Sequence, residues 1–480
     1  MFLSTLSSAA AFRPATWIGV RALRQLKAAS ALAVLLAAYQ PTHGQTPDWR
    51  WVAHSSESGA AMVQKVAADA AGNGYVAGRF SRQVRFGAFE LKSTGSSDVF
   101  VAKVSADGQW QWAVSAGGDG ADIASGIEVD PQGNVIVTGS FAATARFGAL
   151  TRSSQGSLDM FVGVLSPSGQ WQSVTTAGGE EQDQILDLAM DAHHNIYVAG
   201  RFRGTASFGT TTLQSQAASD AFIAKLTPQG EWAWASQTNG DDQTVIQGLA
   251  VDEAGSVYAA GYFGGGTRFG STTLTSAGTH DAFVAKTTAA GQWQWATAGG
   301  GASTDYAHAV AVGADGNVFV TGSFSGRASL GTNELVSRGG SDAYVARLNK
   351  TGRWDWVYTL SGSALEEGTG ICLGAGGSIY ISGHFSRGAQ YGSISLASKG
   401  STDVFVARLT RSGRWLDFLS AGSTATDEAN SIKPSPSGDL FVGGTVGAAT
   451  SFGANSVDEV TPQVFIGRAM FPARMTADIY

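Results

Sequence analysis

Apolar and polar residues alternate in a pattern of four short β-strands that recurs along most of this chain. In one copy, Asp122 to Asp130 (DIASGIEVD) predicts strand A and Asn134 to Thr138 (NVIVT) predicts strand B. The turn between them has Asp first, Pro second and Gly fourth, which are the residues that a type I turn prefers. Asp159 to Val164 (DMFVGV) predicts strand C, and Trp171 opens strand D. The pattern predicts a four-stranded antiparallel unit with a long loop between strands B and C.

This unit recurs every 61 residues. Aromatic-Gly pairs or their equivalents begin at Phe86, Phe147, Phe208, Phe269, Leu330, Tyr391 and Phe452. The same step relates Trp49, Trp110, Trp171, Trp232, Trp293, Trp354 and Trp415. It also relates Asp98, Asp159, Asp220, Asp281, Asp342 and Asp403. Seven in-register copies of a local meander predict a propeller rather than a solenoid.

The order of strands at the two ends predicts how the ring closes. Trp49-Arg50-Trp51 has the pattern of strand D, whereas Val464 to Arg468 has the pattern of strand C. Pairing the two would remove two exposed sheet edges. We therefore predict an all-β, seven-bladed β-propeller of four-stranded antiparallel blades over residues 45–468, closed by the N-terminal strand completing the last blade. Residues 469–480 are predicted to be a C-terminal tail.

The first 44 residues differ from the repeats. Arg21, Arg24 and Lys27 precede the apolar run Ala28 to Tyr39, which is too short to cross a bilayer as a stable helix. We predict a signal peptide over residues 1–44, with cleavage before Gln45. The expected location is secreted, periplasmic or cell-surface, and no transmembrane segment is expected after removal of the signal.

Composition and charge narrow the function. The 64 glycines and the low charged fraction of 14% suit short strands joined by tight turns. A net charge of −7 disfavours a nucleic-acid partner. The only cysteine, Cys372, excludes an intramolecular disulfide and a Cys-based zinc site, and it is predicted to be a small buried residue.

Three segments carry a resemblance to a known repeat: Gly126 to Asp130 (GIEVD), Gly133 to Gly139 (GNVIVTG) and Asp281 to Lys286 (DAFVAK). They resemble the bacterial β-propeller repeats called SBBP, and the resemblance covers residues 49–468. It implies an exported or surface module of bacteria. It brings no established catalytic motif.

Twelve of the thirteen tryptophans occupy two positions of strand D with W-x-W spacing, which places both rings on one face of the strand. We expect these rings to pack between neighbouring blades; the alternative is an aromatic platform for sugars. The Asp98 series is expected to accept backbone hydrogen bonds where strand C begins.

Two registers should surround one mouth of the central channel, because the D–A and B–C loops leave the sheets on the same side. The first precedes strand A and carries five carboxylates: Asp122, Asp183, Asp305, Glu366 and Asp427. Five like charges predict a site for a divalent cation such as Ca²⁺, although the fold requires no cofactor. The alternative is that each carboxylate satisfies backbone groups of its own loops.

The second register follows strand B and reads Arg79, Ser140, Arg201, Tyr262, Ser323, His384 and Thr445. A binding surface needs different side chains at equivalent positions of the repeats. Arg79 and Arg201 could fork onto a carboxylate or phosphate, and Tyr262 could stack on a sugar or an aromatic group. Together with His384 they are the candidate ligand-binding residues. The alternative is ordinary variation of a surface position.

Three functions remain open. The leading one is an exported, monomeric binding or scaffold module that contacts an unknown extracellular ligand, a glycan or a protein, through the face of the D–A and B–C loops. The second is a carboxylate-dependent polysaccharide hydrolase or lyase at the channel mouth. It has less support because the sequence contains no serine-hydrolase or HExxH motif. The third is a purely structural surface protein.

Overall fold

The computed structural model of the chain describes residues 46–56, 59–391, 394–447, 449–459 and 461–472. The predicted signal peptide, residues 1–44, lies outside the described residues, as do the last eight residues of the predicted tail. Within the described part of the chain, no helix is both long and apolar enough to cross a membrane.

The first strand and the first three repeats have the following bounds. Strand β1 spans Asp48–His54. Repeat 1 contains β2 (Ala61–Ala68), β3 (Gly74–Phe80), β4 (Gln83–Phe86), β5 (Phe89–Lys92), β6 (Asp98–Val104) and β7 (Trp110–Gly118). Repeat 2 contains β8 (Ile123–Val129), β9 (Val135–Phe141), β10 (Thr144–Phe147), β11 (Leu150–Ser153), β12 (Asp159–Leu165) and β13 (Trp171–Ala177). Repeat 3 contains β14 (Gln184–Met190), β15 (Ile196–Phe202), β16 (Thr205–Phe208), β17 (Thr211–Gln214), β18 (Asp220–Leu226), β19 (Trp232–Gln237) and β20 (Asn239–Gly240).

The remaining four repeats follow the same order. Repeat 4 contains β21 (Thr244–Val251), β22 (Val257–Phe263), β23 (Gly266–Phe269), β24 (Thr272–Thr275), β25 (Asp281–Thr287) and β26 (Trp293–Gly301). Repeat 5 contains β27 (Asp305–Val312), β28 (Val318–Phe324), β29 (Arg327–Leu330), β30 (Asn333–Val336), β31 (Asp342–Leu348) and β32 (Trp354–Gly362). Repeat 6 contains β33 (Glu366–Leu373), the short 3₁₀ turn Ala375–Gly377, β34 (Ile379–Phe385), β35 (Gly388–Tyr391), β36 (Ile394–Ala397), β37 (Asp403–Leu409) and β38 (Trp415–Ala421). Repeat 7 contains β39 (Glu428–Pro434), β40 (Leu440–Val446), β41 (Thr450–Phe452), β42 (Asn455–Val457) and β43 (Gln463–Met470).

Each repeat is an antiparallel meander of strands A, B, C and D, in the order β8-β9-β12-β13 in repeat 2. The predicted A–B turn is present, because the Gly133 amide donates to the Asp130 carbonyl at 2.9 Å. The Asp130 carboxylate accepts the amides of Gln132 and Asn134 at 2.9 and 2.8 Å. Gly133 has φ +83°, a conformation that side chains with a Cβ rarely adopt. The turn residues therefore fix the hairpin register.

The prediction of seven uniform four-stranded blades is wrong. Within the described residues, the chain forms eight sheets of three or more strands. Seven of these sheets each hold one four-stranded meander, and three of the seven carry two further strands. The eighth sheet has three strands, β20, β23 and β24. The difference arises between strands B and C, where the sequence predicted a loop and the chain instead forms a β-hairpin.

These hairpins link consecutive repeats. The first hairpin strand of repeat 2 pairs with strand D of repeat 1, with Arg146 opposite Gly117. The same bridge recurs at 61-residue steps, as a ladder or as an isolated bridge, between Ser56 and Arg85, Gly178 and Ser207, Asn239 and Arg268, Gly300 and Ser329, Ser361 and Gln390, and Gly422 and Ser451. Strand D of repeat 3 is interrupted at Thr238, which makes the hairpin there a separate sheet. Every hairpin thus extends the preceding meander.

The N-terminal strand pairs with the last one, as the order of strands predicted. Strand β1 runs antiparallel to β43, with Val52 opposite Gly467. The Ser55 amide donates to the Val464 carbonyl at 2.9 Å, and the Ser55 hydroxyl donates to Gln463 Oε1 at 2.8 Å. Strand β43 continues to Met470, two residues beyond the predicted boundary. The two ends of the described chain therefore complete one meander.

The tryptophans of strand D join neighbouring repeats, which confirms the predicted packing role. The first tryptophan of a pair donates its indole N–H to a strand D carbonyl of the preceding repeat; Trp171 donates to Ser115 at 3.3 Å. In three of the five W-x-W pairs the second tryptophan donates to the C–D turn of the following repeat; Trp51 donates to Ala106 at 2.9 Å. The indole N–H groups of Trp295 and Trp356 have no partner among the described residues. The Trp51 ring lies on Gly108, where an added Cβ would come within 2.9 Å of it. These contacts explain the W-x-W period.

Candidate ligand-binding site at the channel mouth

The seven A strands surround a channel on the axis of the ring. An upper cavity of about 220 Å³ has lining residues from all seven A strands. Most of them belong to one register that is polar in six of seven repeats: Gln64, Ser125, Leu186, Gln247, His308, Thr369 and Asn430. This cavity lies toward the starts of the A strands, where the D–A and B–C loops form the mouth that we call the loop mouth.

A second, lower cavity of about 320 Å³ lies toward the A–B turns. Its lining includes a ring of aliphatic side chains: Val66, Ile127, Leu188, Leu249, Val310, Ile371 and Ile432. On one side, Lys65 pairs with Asp187 at 2.9 Å and Lys433 pairs with Glu128. Cys372 also lines this cavity, and burial raises the pKa of its thiol to about 12, so it offers no thiolate. The channel therefore changes from polar to aliphatic along its axis.

The five carboxylates of the first register do not converge on the loop mouth. All five are buried, with no more than 1% of any residue exposed. Asp122 accepts the amides of Gly118 and Ala142 at 2.8 and 3.2 Å, so it ties the D–A loop to the B–C loop. Asp427 does the same through Ser423 and Gly447 at 2.7 and 2.8 Å. Their geometry matches the alternative of carboxylates that satisfy their own loops.

Burial also changes the ionisation of this register. It raises the pKa of Asp122 and of Asp305 to about 6, of Asp183 to about 7 and of Glu366 to about 8. The negative charge of a neighbouring carboxylate of the Asp98 series also raises each pKa, by less than burial does. For Glu366 this neighbour is Asp342. Among the described residues, no group of three or more His, Cys, Asp or Glu side chains is placed to hold a metal ion. The predicted cation site is not assembled by these five residues.

The Asp98 series behaves as predicted. Each member accepts a backbone amide four residues earlier, where strand C begins. The Gln155 amide donates to Asp159 at 2.9 Å, and the Gln216 amide donates to Asp220 at 2.8 Å. The remaining members bind Thr94, Ala277, Arg338 and Lys399 in the same way.

The second register is partly brought together. Arg201, Tyr262 and His384 lie in repeats 3, 4 and 6, and Arg79 lies in repeat 1, opposite Met62 in the ladder of β2 and β3. The Arg201 guanidinium donates to Gln184 Oε1 at 2.8 Å, and its charge partly offsets the effect of burial, which raises the pKa of Tyr262. Of the four predicted ligand-binding residues, Arg201 and Tyr262 are thus the pair that interacts directly among the described residues.

Two strand A residues contact Tyr262 and His384 and were not predicted from the sequence. Tyr306 packs edge-to-face on Tyr262 with ring centroids 4.9 Å apart, and it stacks on His308 at 5.6 Å. Glu367 Oε2 lies 3.8 Å from His384 Nε2. Glu428 follows Glu367 by one repeat. We call Arg201, Tyr262, Tyr306, His308, Glu367, His384 and Glu428 the mouth arc.

A signal for the missed residues existed in the register that follows the buried carboxylates. It reads Met62, Ile123, Gln184, Val245, Tyr306, Glu367 and Glu428, so it departs from apolar character in repeats 3, 5, 6 and 7. This loss of apolar character is the sequence signal that points to Tyr306, Glu367 and Glu428.

The electrostatics of the mouth arc favour neutral histidines beside crowded carboxylates. Burial lowers the pKa of His308 and His384 to about 4, so both are neutral near pH 7. His308 Nδ1 lies 3.0 Å from Gln247 Oε1, an acceptor, so Nδ1 carries the proton and Nε2 accepts from the Ser323 hydroxyl at 3.2 Å. Burial raises the pKa of Glu367, and the charge of Glu428 raises it further.

The strand topology and the axial channel define the chain as an all-β propeller. No protein-family model matches it. The uncharacterized WD repeat-containing protein L264 of Acanthamoeba polyphaga mimivirus is 22% identical over 378 residues, which are 62% of this chain and 27% of that protein. The chain therefore spans about a quarter of the length of this relative.

Two solved structures are similar to this chain over most of its length. The WD40 β-propeller domain of Doa1 has a TM-score of 0.47 and 10% identity, and the alignment covers 88% of this chain and 97% of that one. The Neurospora crassa Pan2 WD40 domain has a TM-score of 0.45 and 10% identity, with 86% and 91% covered. Neither similarity assigns a ligand or an activity to this chain.

Proposed function

We propose that this protein is a binding or scaffold module whose ligand contacts the mouth arc. One observation carries the proposal: chemistry that breaks the 61-residue period lies at the loop mouth in the consecutive repeats 3 to 7, where neighbouring members contact one another. Tyr262 and Tyr306 supply aromatic faces, and Glu367 and His384 supply hydrogen-bonding groups. The corresponding positions of repeat 2 are Ser140 and Ile123. The ring would form without the arc chemistry, so we infer that these residues serve a ligand.

We also propose that the protein is exported and acts as a monomer on an extracellular glycan or protein. Support comes from the sequence alone: the basic and apolar pattern of residues 1–44 and the resemblance of the repeats to bacterial SBBP repeats. Cell fractionation of the tagged full chain tests the location, and a tagged protein found only in the cytoplasm would contradict it.

The binding proposal is tested by comparing two arginines of one register. Arg201 interacts with Tyr262 of the mouth arc, whereas Arg79 occupies the same position in repeat 1 and has no interaction with an arc residue among the described residues. A thermal-shift screen of glycans, peptides and small ions should identify a ligand whose shift is lost in Arg201→Ala or Tyr262→Ala and kept in Arg79→Ala. Equal loss in both arginine variants, or a shift that survives Tyr262→Ala, would place the ligand elsewhere.

A carboxylate-dependent hydrolase or lyase is the second candidate, and one observation favours it. Glu367 and Glu428 are neighbouring carboxyls at the mouth, and burial raises the pKa of both, as a general acid requires. Glu367→Gln and Glu428→Gln should then abolish turnover of a polysaccharide that the wild-type protein cleaves. No cleavage of any polysaccharide by the wild type would count against an enzyme.

A further inference from the structure

Two glutamates of the mouth arc indicate the charge of the ligand, an inference that rests on the proposed binding function. Glu367 and Glu428 occupy the same strand A position in repeats 6 and 7, where repeats 1, 2 and 4 carry Met62, Ile123 and Val245. The fold therefore does not need carboxylates here. Both glutamates are half-buried, and partial burial of a charge without a partner is unfavourable. Something outside the repeat pattern should compensate them.

The chain itself supplies no counter-charge to this pair. Among the described residues, no lysine or arginine forms an ion pair with Glu367 or Glu428. Lys65, which lines the upper cavity with Glu367, is held by Asp187 at 2.9 Å. His384 faces Glu367 but is neutral near pH 7, because burial lowers its pKa to about 4. The two carboxylates therefore lack a cation.

Three other repeats show what this chemistry binds. Lys103 places its ammonium 5.0 Å from the centre of the Tyr75 ring and 3.6 Å from Asp69. Lys225 and Lys286 repeat the arrangement, over Tyr197 beside Asp191 and over Tyr258 beside Asp252. An ammonium group between a tyrosine face and a carboxylate is thus a recurring contact of this protein. Cation–π attraction and ion pairing act together there.

The mouth arc presents the same two groups without the lysine. Tyr306 lies close enough to Glu367 for the charge of the carboxylate to raise the pKa of the phenol, an effect second to burial. Tyr262 meets Tyr306 edge-to-face and adds a second ring. His384 is 8% exposed, its ring faces Glu367, and its buried Nδ1 has no hydrogen-bond partner among the described residues. A polar atom without a partner marks the place as incomplete.

We propose that the mouth arc binds an organic ammonium group, held by Glu367 and Glu428 against the ring of Tyr306, which Tyr262 supports edge-to-face. A metal ion fits less well, because no group of three or more His, Cys, Asp or Glu side chains in the described ranges could hold one. The ammonium could come from a small free amine or from a lysine side chain of a protein partner, and the probes below separate these sources.

Calorimetric titration with four probes tests the proposal: n-butylammonium chloride, the N-terminally acetylated peptide Gly-Lys-Gly, the same peptide with its lysine side chain also acetylated, and calcium chloride. An ammonium probe should bind the full chain about tenfold more tightly than the lysine-acetylated peptide, and about tenfold more tightly than it binds Glu367→Gln or Glu428→Gln. Binding of butylammonium alone indicates a free amine, and preference for the peptide indicates a protein lysine. Glu334→Gln, at an exposed glutamate of β30, is the matched control and should bind as the wild type does.

Two results would overturn the proposal. Equal affinity for the charged and the lysine-acetylated peptide would remove the role of the ammonium group, and so would calcium binding that Glu367→Gln abolishes while neither ammonium probe binds. These failures differ from a failure of the binding function. A glycan or an acidic peptide whose binding is lost in Tyr262→Ala but kept in Glu367→Gln would leave the mouth as a binding site for a different class of ligand.

Discussion

The outer wall of the propeller and the wall of its channel are built from the same repeats but follow different rules. On the outer strand D, tryptophan occupies the first position in all seven repeats, and except at Trp415 its indole N–H bonds the preceding repeat, as Trp110 does with His54 at 3.2 Å. On strand A, one register contains methionine, isoleucine, glutamine, valine, tyrosine and two glutamates. Regularity marks the positions that hold the ring together, and irregularity marks those that are free to contact a ligand.

The difference follows from how each wall is packed. Trp232 meets Phe208 edge-to-face at 5.1 Å and bonds the Thr176 carbonyl at 3.2 Å, so every ring fills a defined space between two repeats. Channel side chains face an axial cavity and differ from repeat to repeat, while the A strands keep the same positions and pairing. Substitution there leaves the sheets unchanged. The comparison predicts large stability effects on the outer wall and small ones at the mouth.

The largest effect is expected from removal of β1 (Asp48–His54). The ring would lose the strand that pairs with β43, expose the edge of β43 and lose the buried Trp49. We expect cooperative thermal unfolding to be abolished, as followed by circular dichroism. Asp48→Asn, which keeps the strand, serves as control. A deletion variant with the wild-type unfolding transition would show that the terminal strand does not close the ring.

A tryptophan of the outer wall should come next. Trp232→Ala removes a large ring from a packed space and leaves the Thr176 carbonyl without its donor. Replacing a fully buried tryptophan by alanine costs roughly 3–5 kcal/mol, and because Trp232 is half-buried we expect a loss of about 2–3 kcal/mol. The equivalent Trp293→Ala should give a similar loss, because Trp293 repeats the contacts through Phe269 and Gln237. Urea denaturation measures both. Losses that differ widely between the two repeats would contradict a shared structural role.

The sequence predicted the period, the strand positions and the terminal pairing because these depend on local alternation and on turn residues such as Gly133. It did not predict the hairpins between strands B and C. Their strands are four residues or shorter and alternate in burial, as β10 does, so they lack the continuous apolar run of strand C. Their pairing partner, strand D of the preceding repeat, is also remote from the local pattern.

The candidate site was predicted in part for a similar reason. Tyr262 and His384 were found because the search followed one register, whereas Tyr306 and Glu367 belong to the register paired with it across strands A and B. The carboxylates of the first register were assigned to the mouth because the sequence cannot show burial. Their side chains point into the loops, where Ala142 and Gly447 amides reach Asp122 and Asp427.

Glu366 and Asp427, two carboxylates of the buried first register, should respond differently to the loss of their charge. Burial raises the pKa of Glu366 from 4.5 to about 8, so between these values the folded state keeps a proton that the unfolded state has lost. The wild type therefore loses stability as the pH rises through this window. Glu366→Gln, which is neutral in both states, should gain relative to the wild type between about pH 5 and about pH 8, by at most about 4 kcal/mol.

Asp427→Asn is the matched contrast at the same position of the next repeat. The Asp427 carboxylate accepts from Ser423, Gly447 and Thr450, and an amide NH₂ would face one of these donors. We expect Asp427→Asn to lower the free energy of unfolding by about 1–3 kcal/mol both at about pH 5 and at about pH 8. Urea denaturation at the two pH values measures both variants. A Glu366→Gln variant with the same stability difference at both would contradict the raised pKa of Glu366.

The smallest effect on the fold is expected at the channel mouth. Burial is the first cause of the raised pKa of Glu367, and the charge of Glu428 is the second. Glu428→Gln should therefore lower the pKa of Glu367 while leaving it above the ordinary value of a glutamate. Carboxyl carbon NMR titration of the two proteins measures the change, and the free energy of unfolding should shift by less than about 1 kcal/mol. An unchanged pKa would mean that the two carboxylates are too far apart to share one cation, whereas a large loss of stability would place Glu428 among the residues that hold the ring together.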